Sequence, residues 1–338
     1  MDWQPGPTDG AFVAKSFVLS DGERMDLRLA YRTLGDLAPD RGNAVLLLHG
    51  TTGSGRQFLQ PGFAAAMFGP SGPLDARSHF VILPDAIGHG GSSKPSDGLG
   101  RSFPRYGYTD MVAAQHRLVT EGLGLQRLRL VMGTSMGGMQ TWIWGGRYPD
   151  MMDALMPVAS LPERVTGRNL LWRRLLLQLA RLDEPGRHNA PPRGLGLAWV
   201  LFQMMAASPA RLAEELGSPE QADAYIQSVA DEALARENLL DAIWEFEASR
   251  DYDPAKDLCR IQAPLLAVNF ADDAVNPAEL GVMNSMIKQV RDGRAVLVPA
   301  NDLSKGHQTL SEPALWTEHV WDLLSRSGPK AGETLDAR

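Results

Sequence analysis

The sequence predicts an α/β fold, with a mostly parallel central sheet, helices on both of its faces and an inserted helical segment. Three observations carry this. Apolar, β-rich runs alternate with helical segments in the first half of the 338 residues, the rhythm of parallel strands covered by helices. From about Leu161 to Tyr252 no convincing strand signal remains and helical stretches follow one another. Strand signals then resume, and two separate domains would leave each with too small a sheet. The expected division is a core of residues 1–160 and 256–326, a helical lid at 161–255 and a polar, frayed tail at 327–338. Such a lid roofs a site on the C-terminal edge of the sheet.

Taken in order, residues 44–48, 80–83, 128–132 and 154–158 are short apolar runs of strand length. Residues 108–121 carry Met111, Val112, Ala114 and Leu118 at helical spacing, with Thr109 and Asp110 placed to cap the start. A further helix at 138–144 runs toward Tyr148 and is stopped by Pro149. The lid reads as helices at 169–182, 195–207, 219–235 and 237–249. Strands at 265–270 and 294–298 and a helix near 312–325 complete the core.

Composition narrows the function. Hydrophobic residues at 44% and charged residues at 22% fit an ordered globular chain, and the net charge of -7 disfavours nucleic acid or an anionic membrane as the partner. No apolar run of about 18 residues exists, and Met1-Asp2-Trp3-Gln4-Pro5 is not a basic start followed by an apolar stretch. The expectation is a soluble, cytoplasmic protein. A single cysteine, Cys259, excludes an internal disulfide and a cysteine-rich metal site; ahead of a strand it is expected to pack as a small hydrophobe.

The chemistry starts at Gly133-Thr134-Ser135-Met136-Gly137, between a strand and a helix. In a G-x-S-x-G elbow the serine sits on a strained strand-to-helix turn, and the glycines let backbones pass closely enough to expose its hydroxyl. That hydroxyl is un-ionised at neutral pH, so it needs a base and a group that orients the base. The chain order for such a fold is serine, acid, histidine. His49, His79, His89 and His116 precede the serine, His188 falls in the lid and His319 in the last helix; His307 alone occupies a loop after the final strand. The loop after the penultimate strand offers Asp272 and Asp273; their side chains point different ways, with Asp273 favoured as orienter and Asp272 as the alternative. Oxyanion donors are assigned to the amides of Met136 and of Thr51, the latter in His49-Gly50-Thr51-Thr52-Gly53. That loop lacks the lysine of a phosphate-cradling loop, and His49 has no second ligand at metal spacing. The loop from Asp85 to Ser92 is read as scaffold. No metal or cofactor is expected.

With these residues in place, the chain resembles the homoserine O-acetyltransferase-like group of the α/β-hydrolase fold. The match is densest from Phe103-Pro104 through Asp110-Met111-Val112-Ala113-Ala114-Gln115 to Gly133-Thr134-Ser135-Met136-Gly137-Gly138-Met139-Gln140, ending at Tyr148-Pro149-Asp150. More loosely it takes in the insertion, the Asp272-Asp273 loop up to Pro277, and Gly306-His307. The resemblance implies an α/β-hydrolase fold, a triad of Ser135, Asp273 and His307, and lid helices that pair two subunits into a homodimer. It also implies a carboxylate directly after the histidine and an arginine after the strand that follows the nucleophile. Gln308 and Ser160 stand there instead, with Arg164 or Arg168 as substitutes for the cation, and Gly50-Thr51-Thr52-Gly53 replaces the group's Ala-Leu-Thr-Gly. Losing both charges forfeits the charge-assisted hydrogen bonds that select a zwitterion.

The expected function is hydrolysis of a small ester or amide through a covalent acyl-Ser135. An acyltransferase using acetyl-CoA or another acyl-CoA as co-substrate shares the first half-reaction. A non-catalytic binding protein on the same fold is the third reading. Ser160, Gln308 and Trp172 are candidates for the substrate pocket. Leu170, Leu171, Leu175, Trp199, Leu201, Phe202, Met204 and Met205 are lid core or pocket lining, and Arg173 and Arg174 read as a solvated face.

Overall fold

The computed structural model describes residues 6–184 and 193–328, so His188 and the tail at 329–338 lie outside it. Eight strands form one sheet: β1 (Thr8–Val18), β2 (Arg24–Leu34), β3 (Ala44–Leu48), β4 (Phe80–Pro84), β5 (Leu130–Thr134), β6 (Leu155–Val158), β7 (Leu265–Phe270) and β8 (Gly293–Val298). Their order is β1-β2-β4-β3-β5-β6-β7-β8. β1 and β2 pair antiparallel, β2 joins β4 antiparallel, and the remaining pairs are parallel.

The continuous apolar runs of β3, β5, β6 and β7 follow from burial on two faces. Along β3, Val45 and Leu47 join one core with Phe63, Phe68, Trp316 and Val320, contributed by α1 (Pro61–Phe68) and by α10 (Thr317–Arg326) with its N-cap Trp316. Leu46 and Leu48 point the other way, against Val112, Trp142 and Trp144 on α2 (Tyr108–Arg117) and α3 (Met136–Arg147). Each such buried aromatic or aliphatic side chain stabilises the fold by roughly 1.5–3 kcal/mol. β1 and β2 escape the sequence reading because β1 alternates exposed and partly buried residues at the sheet edge and carries a bulge between Ala14 and Phe17.

Between β6 and β7 run α4 (Gly167–Ala180), α5 (Gly194–Ala206), α6 (Pro209–Glu215), α7 (Pro219–Arg236) and α8 (Leu239–Glu247). Trp172, Leu176, Trp199 and Phe246 fill their interior and join a core that includes Tyr108, Met136 and Met139. The inserted helices are thereby seated over the start of α3. A short α9 (Val282–Met286) precedes β8.

Two local expectations are corrected. Thr109 does not cap α2: Gly107 is the capping position, its N–H donating to Asp110 at 2.9 Å. Asp251, from beyond α8, accepts from the amides of Tyr108 at 2.9 Å and Thr109 at 3.0 Å. Nor is Cys259 packed away. It is exposed on the turn Ala255–Arg260, where Leu258 takes the buried position. Among the described residues no helix is long and apolar enough to cross a membrane.

Candidate active site

Ser135 joins β5 to α3 with φ 54° and ψ -113°, a left-handed backbone that a residue with a Cβ adopts only at a cost. The flanking glycines are dictated by backbone proximity. A Cβ on Gly133 would lie 2.2 Å from the carbonyl carbon of Gly137, and one on Gly137 would lie 1.9 Å from the carbonyl oxygen of Leu48. No side chain fits between α3 and the strands beneath it.

The elbow points Ser135 at His307. Ser135 Oγ lies 2.7 Å from His307 Nε2, and His307 Nδ1 lies 2.7 Å from Asp273 Oδ2. Asp273 is held in turn: its Oδ1 accepts from the amides of Val275 at 2.7 Å and Asn276 at 3.1 Å, and its Oδ2 from Asn276 Nδ2 at 3.0 Å. Burial pushes the Asp273 carboxyl up, but the charge and hydrogen bond of His307 and the donors of Asn276 outweigh it and hold it below the usual carboxylate value. Asp272 faces elsewhere. Its Oδ2 accepts from the Gly306 amide at 2.8 Å and so fastens the loop that carries His307.

Asn276 was not foreseen. It also donates to the Ala159 carbonyl at 3.0 Å, tying the acid loop to the end of β6; its spacing of three residues from Asp273 in a turn is the signal that was there to use.

The second loop approaches from β3. A Cβ on Gly50 would be 3.7 Å from Ser135 Cβ. Gln57 pins this loop to the elbow, accepting from the Gly50 amide at 3.0 Å and donating to Thr134 Oγ1 at 2.9 Å. His89 Nε2 lies 2.6 Å from the Thr51 carbonyl. The amides of Thr51 and Met136 have no hydrogen-bond partner among the described residues. His49 is structural: its Nε2 accepts from the Ala86 amide at 3.0 Å while Nδ1 donates to the Gly50 carbonyl at 2.8 Å, so it is neutral. Burial, with His89 beside it, lowers its pKa to about 3. Asp85 serves as scaffold, accepting from Arg32 and from the amides of Gly55 and Gly91, each at 2.8 Å.

Ser135 and His307 open into a cavity of about 340 Å³, lined also by Met139, Asn169, Arg173, Tyr252 and Val275. The three pocket candidates read from sequence are corrected, since none lines it. Ser160 is buried beneath the elbow and accepts from Trp142 Nε1 at 3.2 Å. Gln308 is turned to the insertion, donating to Gln203 Oε1 at 2.7 Å. Trp172 packs inward on Phe202 and Phe246. Its neighbour Arg173, expected on a solvated face, is buried and lines the cavity. Arg164 and Arg168 line it too, but Arg164 pairs with Asp253 at 2.8 Å and Arg168 donates to the Ala274 carbonyl. Leu170, Leu171, Leu175 and Met204 face outward instead. No cluster of metal-ligating side chains occurs among the described residues.

A strained serine turn between strand and helix at the C-terminal end of a mainly parallel sheet defines a class of protein, and comparison with known families agrees. The chain belongs to the alpha/beta hydrolase fold family, whose model matches residues 43–294, and it is an enzyme of that superfamily. A relative in Methanothermobacter thermautotrophicus, described as a probable acyltransferase, is 29% identical over 316 residues, covering 91% of this chain and 95% of its own. A homoserine O-acetyltransferase of Chlorobaculum parvum is 37% identical over 159 residues, which span 45% of this chain and 42% of that one. In three dimensions the chain is similar to esterase E22, with a TM-score of 0.81 at 18% identity over 94% of this chain and 100% of the esterase, a likeness of fold.

Proposed function

We propose that the protein is a serine-dependent acyl-transfer enzyme that hydrolyses a small ester or amide. The observation that carries this reading is the chain Ser135 Oγ, His307 Nε2, His307 Nδ1, Asp273 Oδ2, with 2.7 Å at both hydrogen bonds. Ser135 Oγ attacks the carbonyl carbon while His307 Nε2 takes its proton. Asp273 holds the imidazole in the tautomer with Nδ1 protonated and stabilises the imidazolium that forms. The unpartnered amides of Thr51 and Met136 are placed to receive the oxyanion. His307 then protonates the leaving alcohol or amine, leaving an acyl-Ser135 ester. Water, deprotonated by the same His307, releases the acid and restores the serine. The reading uses no metal or cofactor.

An acyltransferase in which an alcohol or amine replaces water, with acyl-CoA as donor, is the second reading, and the names of the acyltransferase relatives favour it. Exposed Leu170, Leu171, Leu175 and Leu197 on α4 and α5 support a homodimer formed through the insertion. The experiment that tests the proposal is a screen of short p-nitrophenyl esters with and without acyl acceptors, alongside fluorophosphonate labelling. Turnover without acceptor and labelling lost in Ser135→Ala are expected. Thiol release from acetyl-CoA only when homoserine is added would replace hydrolysis by transfer, and absence of labelling would remove the nucleophile.

A further inference from the structure

Two histidines flank the loop assigned to the oxyanion, and their hydrogen bonds separate them. His49 has one accepting and one donating nitrogen, since Nε2 faces the Ala86 amide and Nδ1 the Gly50 carbonyl. His89, buried with 2% of its surface exposed, faces carbonyl oxygens at both nitrogens: Nδ1 lies 2.9 Å from the Ile87 oxygen and Nε2 2.6 Å from the Thr51 oxygen. A carbonyl only accepts, and a neutral imidazole has a single N–H to give. With one proton the ring would hold a bare lone pair against an oxygen at hydrogen-bond distance. With two it satisfies both.

A counter-charge is in place. Glu245 Oε1 lies 3.6 Å from His89 Nε2, and both side chains are buried. Glu245 comes from α8 in the insertion. One turn earlier on that helix, Asp241 accepts from the Ser96 amide at 2.8 Å and from its hydroxyl at 2.5 Å, which seats α8 beside the loop of His89. Burial draws the pKa of His89 down, while the Ile87 and Thr51 carbonyls and the Asp85 and Asp241 carboxylates draw it up. Burial and the carboxylates of Glu237 and Asp241 push Glu245 well above its ordinary value, and Lys94 pulls it back. His49, neutral at 5.0 Å between ring centres, and the buried Tyr106 hydroxyl complete the surroundings. The carboxylates outnumber the cations, which are Arg32, bound to Asp85, and Lys94, turned to the Gly90 carbonyl at 2.8 Å. An imidazolium at His89 relieves that excess and gives each carbonyl a donor.

A trans peptide is planar, so its N–H points opposite to its carbonyl. His49 holds the Gly50 carbonyl, hence the plane that carries the Thr51 amide, and His89 holds the Thr51 carbonyl, the next plane along. Both planes that meet at the Thr51 Cα are thereby fixed. We propose that His89, doubly protonated and paired with Glu245 of the insertion, is a positioning residue for the reaction at Ser135, gripping the Thr51 carbonyl so that the Thr51 amide stays aimed at the developing oxyanion. This rests on Ser135 being the nucleophile and Thr51 an oxyanion donor. The ring lies outside the lining of the Ser135 cavity and acts only through the loop.

The test reads the charge of the ring and its effect on turnover separately. In protein labelled with nitrogen-15 histidine at neutral pH, both ring nitrogens of His89, assigned by their loss in His89→Gln, are expected to resonate as protonated, while His49 shows one protonated and one bare nitrogen. Glu245→Gln removes the counter-charge, so His89 should lose its proton about one to three pH units lower than in the wild type. The alkaline limb of kcat for p-nitrophenyl acetate should move down with it. In His89→Gln, kcat per site counted by fluorophosphonate is expected to fall about ten- to hundredfold, a part of the loss seen when an oxyanion donor is deleted. KM should stay within about threefold, because the oxyanion exists only in the transition state. A bare nitrogen on His89 at neutral pH, or a kcat profile that ignores its titration, overturns the proposal. So does a His89→Gln with lower Tm and fewer active sites but an unchanged kcat per site, which makes the pair a packing contact. If Ser135 fails to label at all, the nucleophile reading falls and takes the positioning role with it, while the nitrogen signals still decide whether the pair is charged.

Discussion

Exchanging the two adjacent aspartates one at a time tests the site most sharply. Asp273 Oδ1 accepts from two backbone amides, Val275 and Asn276, whereas Oδ2 accepts from His307 Nδ1 and Asn276 Nδ2. In Asp273→Asn the amide oxygen keeps the two backbone donors and the new NH₂ takes the Oδ2 position. It then confronts Asn276 Nδ2, a donor against a donor, and donates to His307 Nδ1. The imidazole is driven into the tautomer protonated at Nε2, which faces Ser135 Oγ and can no longer take its proton. Loss of the carboxylate behind a serine-activating histidine costs about 10⁴ in kcat in serine proteases, or ~5.5 kcal/mol, and about 10³–10⁴ is expected here. Asp272→Asn has a different outcome. Its carbonyl oxygen can still accept from Gly306, and the NH₂ falls where Oδ1 has no partner, so kcat should stay within about tenfold and stability within ~1–2 kcal/mol. Burst kinetics with p-nitrophenyl acetate, with circular dichroism to verify folding, read both. If Asp272→Asn collapses kcat while Asp273→Asn does not, the hydrogen-bond argument is wrong.

Three further outcomes follow from the same geometry. Ser135→Gly should be more stable to urea than Ser135→Ala by ~1–3 kcal/mol, since only glycine relieves the backbone at φ 54°; equal stabilities would mean that the elbow stores no strain. Acid should destabilise the fold through His49. Burial holds its folded pKa at about 3, so below pH ~6.5 the unfolded chain binds the extra proton, and stability falls by ~1.4 kcal/mol per pH unit until the folded group titrates. Asp273 acts in the same sense lower down, its contribution being present above the ordinary carboxylate pKa and lost as pH falls through its depressed folded value. Urea titrations between pH 7 and 4 should show a shallower slope for His49→Gln, and an unchanged slope refutes the assignment. Leu171, 69% exposed on α4, is placed to bury in a subunit contact, so Leu171→Glu should halve the mass seen by light scattering; a monomeric wild type removes that proposal.

What the sequence disclosed depended on whether one residue type suffices to specify a place. Runs such as Val45 to Leu48 have two covered faces and need no register to be recognised as strands. β1, with Lys15 and Ser16 in its length and one side in water, presents no such run. Ser135 and His307 were legible because the elbow and the chain order restrict them to few positions, and the structure brings both to Asp273. The pocket was not legible. Trp172 and Arg173 are adjacent on α4, both are buried, and their apolar and charged characters suggest opposite assignments from the ones found. Only the packing of Trp172 on Phe202 and Phe246 decides that the arginine receives the cavity. Cys259 shows the same limit, one residue of rotation separating it from the buried Leu258.

Chemistry and discrimination have different structural sources in this chain. The groups proposed to react sit on loops at the ends of β3, β5, β7 and β8, fixed by strands that admit little freedom: Gly137 cannot carry a Cβ against Leu48, and Asp273 is tied by four hydrogen bonds. The opposite wall comes from α4, whose helix registers its side chains against other inserted helices and not against the sheet. Changes in that wall can therefore alter which substrate is held without moving Ser135, which is how one acyl-transfer site serves many substrates on this fold. The separation is breached at both loops, since Arg168 and Asn169 on α4 donate to the Ala274 and Val275 carbonyls beside Asp273. Gly306, with φ +66°, lies so close to the Ala207 backbone that a Cβ would stand 2.7 Å from it, and Gln308 is bonded to Gln203. The loop carrying His307 thus rests on α5 and on the residue just beyond its end, so on the proposed mechanism the insertion supports the base as well as walling the cavity, and its removal is expected to cost chemistry along with selectivity.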